Sequence, residues 1–131
     1  MSDFEEIGWS LDVPDGWDAE DLDDVAIFSH PEGVGVLQVG GLEKDEAVTQ
    51  EDLEQLAAEQ LEAGLRPEKV IAGDFRGISF VQRGDGEFWQ FWYLAADHLA
   101  LEISYNCADD DRNEEIETVR EMIGSLAFER D

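Results

Sequence analysis

The sequence predicts an α+β protein, an α/β/α sandwich whose central, largely antiparallel sheet of six or seven strands lies between two main helices. Three observations predict this fold. Short apolar alternations separated by tight turns recur along the 131 residues, which is typical of antiparallel strands. Two segments change to helical periodicity, one in the middle of the chain and one near its end. One strand is apolar on both sides and therefore needs cover on both faces of the sheet.

Three strands are predicted before the first helix. Residues 9–13 alternate apolar and polar side chains and end at the turn Pro14-Asp15-Gly16, so they indicate a half-buried strand. An acidic stretch, residues 18–24, then leads into two apolar runs at 24–29 and 34–40. Because a Pro- and Gly-containing turn separates these runs, they are predicted to form a hairpin.

Two amphipathic helices are predicted from their spacing. The first begins near Thr49, where Asp52 three residues later forms a capping-box pattern, and ends near Gly64 and Pro67. One stripe of this helix, mostly apolar, consists of Leu53, Leu56, Ala57, Gln60, Leu61 and Gly64. The second helix follows the triplet Asp109–Asp111, whose charge suits a helix N-terminus. Its apolar positions are Ile116, Val119, Met122, Ile123 and Leu126.

Four more strands, joined by linkers of a few residues, are predicted between the helices. They cover about residues 68–74, 77–83, 87–95 and 99–106. Linkers this short join antiparallel neighbours, so the four strands form a meander. In the third of them, Phe88 and Trp92 face one side, whereas Trp89, Phe91 and Tyr93 face the other. No linker or repeat interrupts the chain, and a single domain, 1–131, is expected.

Charge and composition exclude several classes of function. The chain has 8 Lys and Arg against 34 Asp and Glu, a formal net charge of −26. A nucleic acid or an anionic membrane would be repelled, since few cations are present to replace the counterions of a polyanion. A hydrophobic fraction of 43% is too high for a disordered acidic tail. Because Cys107 is the only cysteine and the first residues are acidic, a cytoplasmic location is expected.

No catalytic, metal or cofactor motif is recognised. Asp109, Asp111 and Asn113 imitate the start of a calcium loop, but Glu114 replaces the glycine of its sixth position and Arg120 the bidentate glutamate. The remaining catalytic hypothesis pairs His98 with Cys107 on one hairpin. The nearby acidic triplet argues against it, because negative charge raises the pKa of a thiol. Neither a metal nor a cofactor is therefore expected, and the protein is predicted not to be an enzyme.

Both ends of the chain resemble a known family. The segment Trp9-Ser10-Leu11-Asp12-Val13-Pro14-Asp15-Gly16-Trp17 is similar to the opening of the PsbP-like α/β/α sandwich family, which includes photosystem II extrinsic subunits and a Ran-binding nuclear import factor. The segment 101–108 and the helix that ends at Ile123-Gly124-Ser125-Leu126 resemble the closing strand and helix of bacterial members. The resemblance implies the sandwich fold and binding to other proteins rather than catalysis. It carries over no functional residues.

The predicted function is therefore binding of another protein, as an immunity or accessory protein, through acidic and aromatic side chains. The candidate partner-binding residues are Asp18, Glu20, Asp21, Asp23, Asp24, Trp89, Phe91 and Tyr93. The acidity has two explanations that can coexist. Dispersed carboxylates are typical of adaptation to a salt-rich cytoplasm, which is the favoured explanation, whereas an acidic surface also attracts a basic protein partner. The alternative function is a carrier of a small apolar ligand on the aromatic sheet face.

Adaptation to salt makes the first testable prediction. Raising the salt concentration from about 0.1 M to 1 M shortens the Debye length from about 10 Å to 3 Å and screens the repulsion among carboxylates. The thermal midpoint of unfolding, followed by circular dichroism, is therefore expected to rise steeply over this range. A midpoint that does not change with salt contradicts the adaptation hypothesis.

Overall fold

A seven-stranded antiparallel sheet forms the middle layer of the protein. The computed structural model describes residues 2–6, 8–22 and 25–129. In chain order its strands and helices are β1 (Ser2–Glu6), β2 (Trp9–Val13), β3 (Asp18–Leu22), β4 (Val25–Ser29), β5 (Gly35–Glu43), α1 (Gln50–Leu56), α2 (Ala58–Glu62), β6 (Glu68–Ala72), β7 (Phe75–Gly84), β8 (Glu87–Ala96), β9 (Leu99–Ala108), α3 (Ile116–Gly124) and β10 (Ala127–Phe128). The strand order of the large sheet is β3-β4-β5-β9-β8-β7-β6. The predicted α+β sandwich is confirmed.

The first helical segment begins as the sequence predicts. The Thr49 hydroxyl accepts a hydrogen bond from the Asp52 amide at 3.1 Å, and the Asp52 carboxylate accepts one from the Thr49 amide at 2.9 Å. The predicted continuous helix instead has an irregular turn at Ala57, which separates α1 from α2. Main-chain hydrogen bonds from Ala57 to Leu53 and from Leu61 to Ala57 continue across this turn. The two short helices therefore form one bent rod.

The strand at residues 9–13 does not belong to the large sheet, which corrects the sequence prediction. It forms β2, the middle strand of a separate sheet of order β1-β2-β10. Its two neighbours were not predicted from the sequence, and neither was the edge strand β3. Pairing with β1 and β10 supplies hydrogen-bond partners to both sides of β2. Its apolar side chains, Trp9, Leu11 and Val13, are buried against the large sheet.

Two apolar cores lie on opposite sides of the large sheet. The larger core fills the space between this sheet and the layer made by β2 and α3. The smaller core lies under α1 and consists of Leu53, Ala57, Ile78, Phe80, Tyr93, Ala95 and Ala100. Phe88 and Trp92 belong to the larger core, whereas Tyr93 belongs to the smaller one. The two-sided apolar character predicted for β8 is thus confirmed.

None of the helices in the described part of the chain has the length and apolar character that a membrane span requires.

A buried carboxylate connects α3 to the large sheet. Glu115, immediately before α3, is 8% exposed. Its Oε1 atom accepts hydrogen bonds from the Tyr105 hydroxyl and from the Gly35 amide, both at 2.9 Å. Burial and the hydrogen bond to Glu115 raise the pKa of Tyr105. Buried acceptors require partners of this kind, so Glu115 fixes the start of α3 against β5 and β9.

The contacts of Glu115 predict a stability difference between two neighbouring glutamates. Glu115→Ala leaves the Tyr105 hydroxyl and the Gly35 amide without their acceptor and is expected to lower the free energy of unfolding by about 2 kcal/mol. Glu117→Ala, on the exposed side of the same helix, is the matched control and is expected to change it by less than about 0.5 kcal/mol. Urea denaturation measures both values. Equal effects of the two substitutions contradict the anchoring role.

The two tyrosines make a prediction for high pH. Burial, followed by the charges of Glu102 and Glu59, raises the pKa of Tyr93 to about 12, and the pKa of Tyr105 is also raised. Tyr93 and Tyr105 are the only tyrosines in the chain. A phenolate-absorbance titration of the folded protein is therefore expected to show little ionisation at pH 10, where free tyrosine is about half ionised.

The same shifts determine how stability depends on pH. The folded state holds the phenolic protons more tightly than the unfolded state does. The contribution of the two tyrosines to the free energy of unfolding is therefore fully present below about pH 10 and is lost as pH rises above this value. A titration in urea, where both side chains are exposed, is the control. Ionisation of either tyrosine with a midpoint near pH 10 in the folded protein contradicts the described burial.

Candidate functional site

The rod formed by α1 and α2 covers only part of its side of the large sheet. Of the strands on that side, α1 packs mainly against β7 and β8. Apart from Ala100 on β9, which belongs to the smaller core, the side chains of β4, β5 and β9 that point the same way are only partly buried or exposed. We call this uncovered region the open face, and it consists of Val25, Ile27, Gln38, Gly40, Trp89, Phe91, Glu102 and Ser104. On the opposite side, the same strands are buried in the larger core.

Strand register makes a shallow groove in the open face. One row across the sheet places Ile27 opposite Gln38, and Ser104 between Gln38 and Phe91. In the neighbouring row, Gly40 lies between Val25 and Glu102. Because Gly40 has no side chain, the surface is depressed at this point. The resulting open groove has a volume of ≈ 320 Å³.

A stacked aromatic pair lies beside the groove. The Trp89 and Phe91 rings are 5.6 Å apart between centroids, with an angle of 6° between their planes. The Trp89 indole nitrogen donates a hydrogen bond to the Glu87 carboxylate at 3.3 Å. A second open cleft of ≈ 330 Å³ adjoins the pair, between α2 and the β7–β8 turn. Three carboxylates line this cleft, those of Glu59, Asp85 and Glu87.

The open face is negatively charged. Strands β3, β4, β5, β8 and β9 contain no Lys or Arg. Lys44, which directly follows β5, is paired with Asp52 at 2.7 Å. Arg83 on β7 donates from its Nε and Nη2 atoms to the Asp109 carboxylate, at 2.7 and 3.0 Å. Arg83 lies opposite Phe88 in the ladder, and therefore on the other side of the sheet. Carboxylates at the open face and in its cleft therefore lack a local counter-ion among the lining residues.

The partner-binding residues predicted from the sequence lie on two strands of the large sheet, the aromatic ones on β8 and the described acidic ones on β3. Trp89 and Phe91 are half-buried on the open face, whereas Tyr93 is 7% exposed and its hydroxyl donates a hydrogen bond to Gln60 at 2.8 Å. Tyr93 therefore serves mainly as part of the core.

The acidic candidates lie on the edge strand β3, which is exposed throughout. Glu20 lies opposite Ile27 and so belongs to the same side as the open face, whereas Asp21 lies opposite Ala26 and points to the other side. Asp18 lies opposite Ser29, at the start of the strand. Four strand spacings, about 19 Å, separate β3 from β8. Asp23 and Asp24 lie outside the described residues.

The hypothetical thiol–imidazole pair is not formed. His98 precedes β9 and Cys107 lies near its opposite end, about 30 Å away along an extended strand. Cys107 is buried, and burial raises the pKa of its thiol. Among the described residues, no group of three or more His, Cys, Asp or Glu side chains is arranged to hold a metal ion.

Sequence reasoning missed the polar part of the open face, namely Gln38, Gly40, Glu102 and Ser104. A signal for it was present in β5, where Gln38 and Gly40 alternate with the apolar Leu37 and Val39. This alternation indicates that one side of the strand is not covered by a helix.

Structural comparisons identify the fold. A crystal structure from Bacteroides thetaiotaomicron VPI-5482 aligns with 94% of this chain at a TM-score of 0.69 and 15% identity. The present chain spans 46% of that chain. LpqN, a protein involved in cell envelope biogenesis of Mycobacterium tuberculosis, aligns at a TM-score of 0.63 and 13% identity, covering 98% of this chain and 90% of LpqN.

A solution structure of cyanobacterial PsbP from Synechocystis sp. PCC 6803 was also found, with a TM-score of 0.47, 13% identity and coverage of 98% of this chain and 92% of that one. No family model matches the sequence, and no curated protein does. The similarities to the first two structures concern the fold alone, and they agree with the α/β sandwich that the sequence predicts.

Proposed function

We propose that the protein is a non-enzymatic binding module that docks a basic segment of another protein on the open face. One observation carries this proposal. A sheet face that contains two stacked aromatic rings is left uncovered by the helices and is surrounded by carboxylates, with no cation on its strands. Uncovered faces of this composition are typical of protein interaction sites.

The shape of the face favours a macromolecular partner over a small ligand. Sites for small apolar molecules enclose most of the surface of their ligand. The two depressions here, ≈ 320 and ≈ 330 Å³, are open to solvent and share Phe91 as a common wall. They are therefore better suited to side chains of one extended segment. A carrier of apolar ligands is correspondingly less supported by the geometry.

The charge distribution favours a basic segment. A cation placed over the Trp89–Phe91 stack interacts with the faces of the rings, and Trp is the strongest partner for such an interaction. The Glu87 carboxylate at the edge of the indole could accept hydrogen bonds from the same cation. A planar guanidinium group satisfies both requirements, since it stacks on aromatic rings and binds carboxylates through two donors.

The net charge of the chain supports binding as well as salt adaptation. Carboxylates distributed over the whole surface attract a basic partner at long range, and the open face then provides the specific contacts. A small binding domain of this kind would act as an immunity or accessory protein. The cytoplasmic location inferred from the sequence stays a prediction.

The proposal predicts where a cationic peptide binds. We expect an octa-arginine peptide, titrated in physiological salt, to shift the Trp89 indole signal and the amide signals of β4, β5 and β9 in a two-dimensional NMR spectrum. An octa-glutamate peptide is expected to shift none of them. The substitution Trp89→Ser should weaken binding by roughly tenfold, because the cation loses its aromatic partner.

A matched control separates the open face from general attraction between opposite charges. Val81→Ser changes a side chain that is 45% exposed on β7; Val81 lies opposite Gln90 and hence on the other side of the sheet. It should leave binding unchanged. Shifts spread evenly over α1, α3 and the acidic turns, or equal affinity of wild type and the Trp89 variant, contradict the proposed face.

A further inference from the structure

The two edges of the large sheet differ in how they are protected. The edge strand β3 is exposed at every position and carries the acidic side chains Asp18, Glu20 and Asp21. Charged side chains on an edge strand prevent it from pairing with another chain. The other edge strand, β6, pairs with β7 alone in the described part of the chain. Its backbone therefore has one side free for further pairing.

Strand β6 also carries the most exposed large apolar side chain in the described part of the chain. Ile71 is 85% exposed, whereas the next, Leu42, is 50% exposed. An open cleft of ≈ 610 Å³ adjoins Ile71 and is lined also by Phe75, Ala95 and Phe128. An exposed isoleucine on an unpaired edge strand costs free energy in water that a second strand would recover.

The charge around β6 is unlike that of the rest of the chain. Residues 65–77 contain three cationic side chains, Arg66, Lys69 and Arg76, and two acidic ones, Glu68 and Asp74, and so have a net charge of +1 in a chain of −26. Two copies that meet through this edge place the least repulsive part of their surfaces together. Contact through the other edge strand, β3, would bring the carboxylates of the two copies together.

We propose that β6 is the site of self-association, where two copies pair antiparallel through their β6 strands to form a symmetric dimer. With full overlap of the two strands, Val70 lies beside Val70 of the second copy. Ile71 then lies beside the aliphatic stem of the second copy's Lys69, which covers it while the ammonium group stays in water. Both large sheets continue into one another with the same side facing the same way.

Geometry favours this pairing over a contact between β6 and the β3 strand of another copy. In the antiparallel order of the large sheet, β3 and β6 run in the same direction. A head-to-tail contact between copies would therefore be parallel, and repeated addition would produce an open chain rather than a closed dimer. It would also require removal of water from the carboxylates of β3. The two-fold arrangement avoids both the open chain and the removal of water from these carboxylates. It does not depend on the proposed binding face.

Sedimentation velocity tests the dimer. In about 1 M salt, where charge repulsion is screened, the wild-type protein is expected to reach twice its monomer mass as its concentration is raised into the high micromolar range. Ile71→Asp should weaken association by roughly tenfold or more. Leu42→Asp adds the same charge at another exposed position and is expected to associate like the wild type.

A cysteine substitution tests the register. In the fully overlapped pair the two Val70 Cα atoms lie about 4.5–5.5 Å apart, within the range of a disulfide. Val70→Cys is therefore expected to form a covalent dimer on addition of a mild oxidant, whereas Val81→Cys is not. The native Cys107 is buried and does not interfere. A monomeric wild-type protein at all concentrations, or equal cross-linking of both variants, overturns the proposal.

Discussion

The helical layer is too small for the sheet that it covers, and the rest of the molecule follows from this mismatch. Six spacings between seven strands make the sheet about 29 Å wide. The rod formed by α1 and α2 has 7 and 5 residues in its two helices and is about 20 Å long and 10 Å thick. The other side of the sheet is covered by α3 and a second sheet. One side is therefore a closed core, and the other is divided between a small core and an open face.

This asymmetry explains which parts of the fold could be predicted from the sequence. The meander from β6 to β9 and the capping box at Thr49 are local features, specified by alternation and by residues three positions apart. The small sheet could not be predicted, because it joins the two ends of the chain: β10 pairs with β2 more than a hundred residues away. Strand β3 is acidic without alternation, and its strand conformation comes from pairing with β4.

The same distinction applies to the candidate site. Trp89 and Phe91 could be selected from the sequence because successive residues of a strand point to opposite sides, which places both rings on one side of β8. Their accessibility could not, since it depends on where the α1–α2 rod ends. Glu102 and Ser104 were missed because their place in the open face depends on their neighbours across the sheet, which are Gly40 for Glu102 and Phe91 for Ser104. A pattern within one strand shows which side a residue faces, whereas the cover of that side is a property of the tertiary structure.

The acidic side chains of the edge strand β3 limit how far the sheet can be extended by further strands. If two copies join through β6, the combined sheet has a β3 strand at each of its ends, and both ends carry carboxylates that resist a third strand. Growth then stops at two copies without a separate cap or a covering loop. Both open faces would lie on the same side of such an assembly, so one ligand with two basic segments could engage both of them and gain avidity.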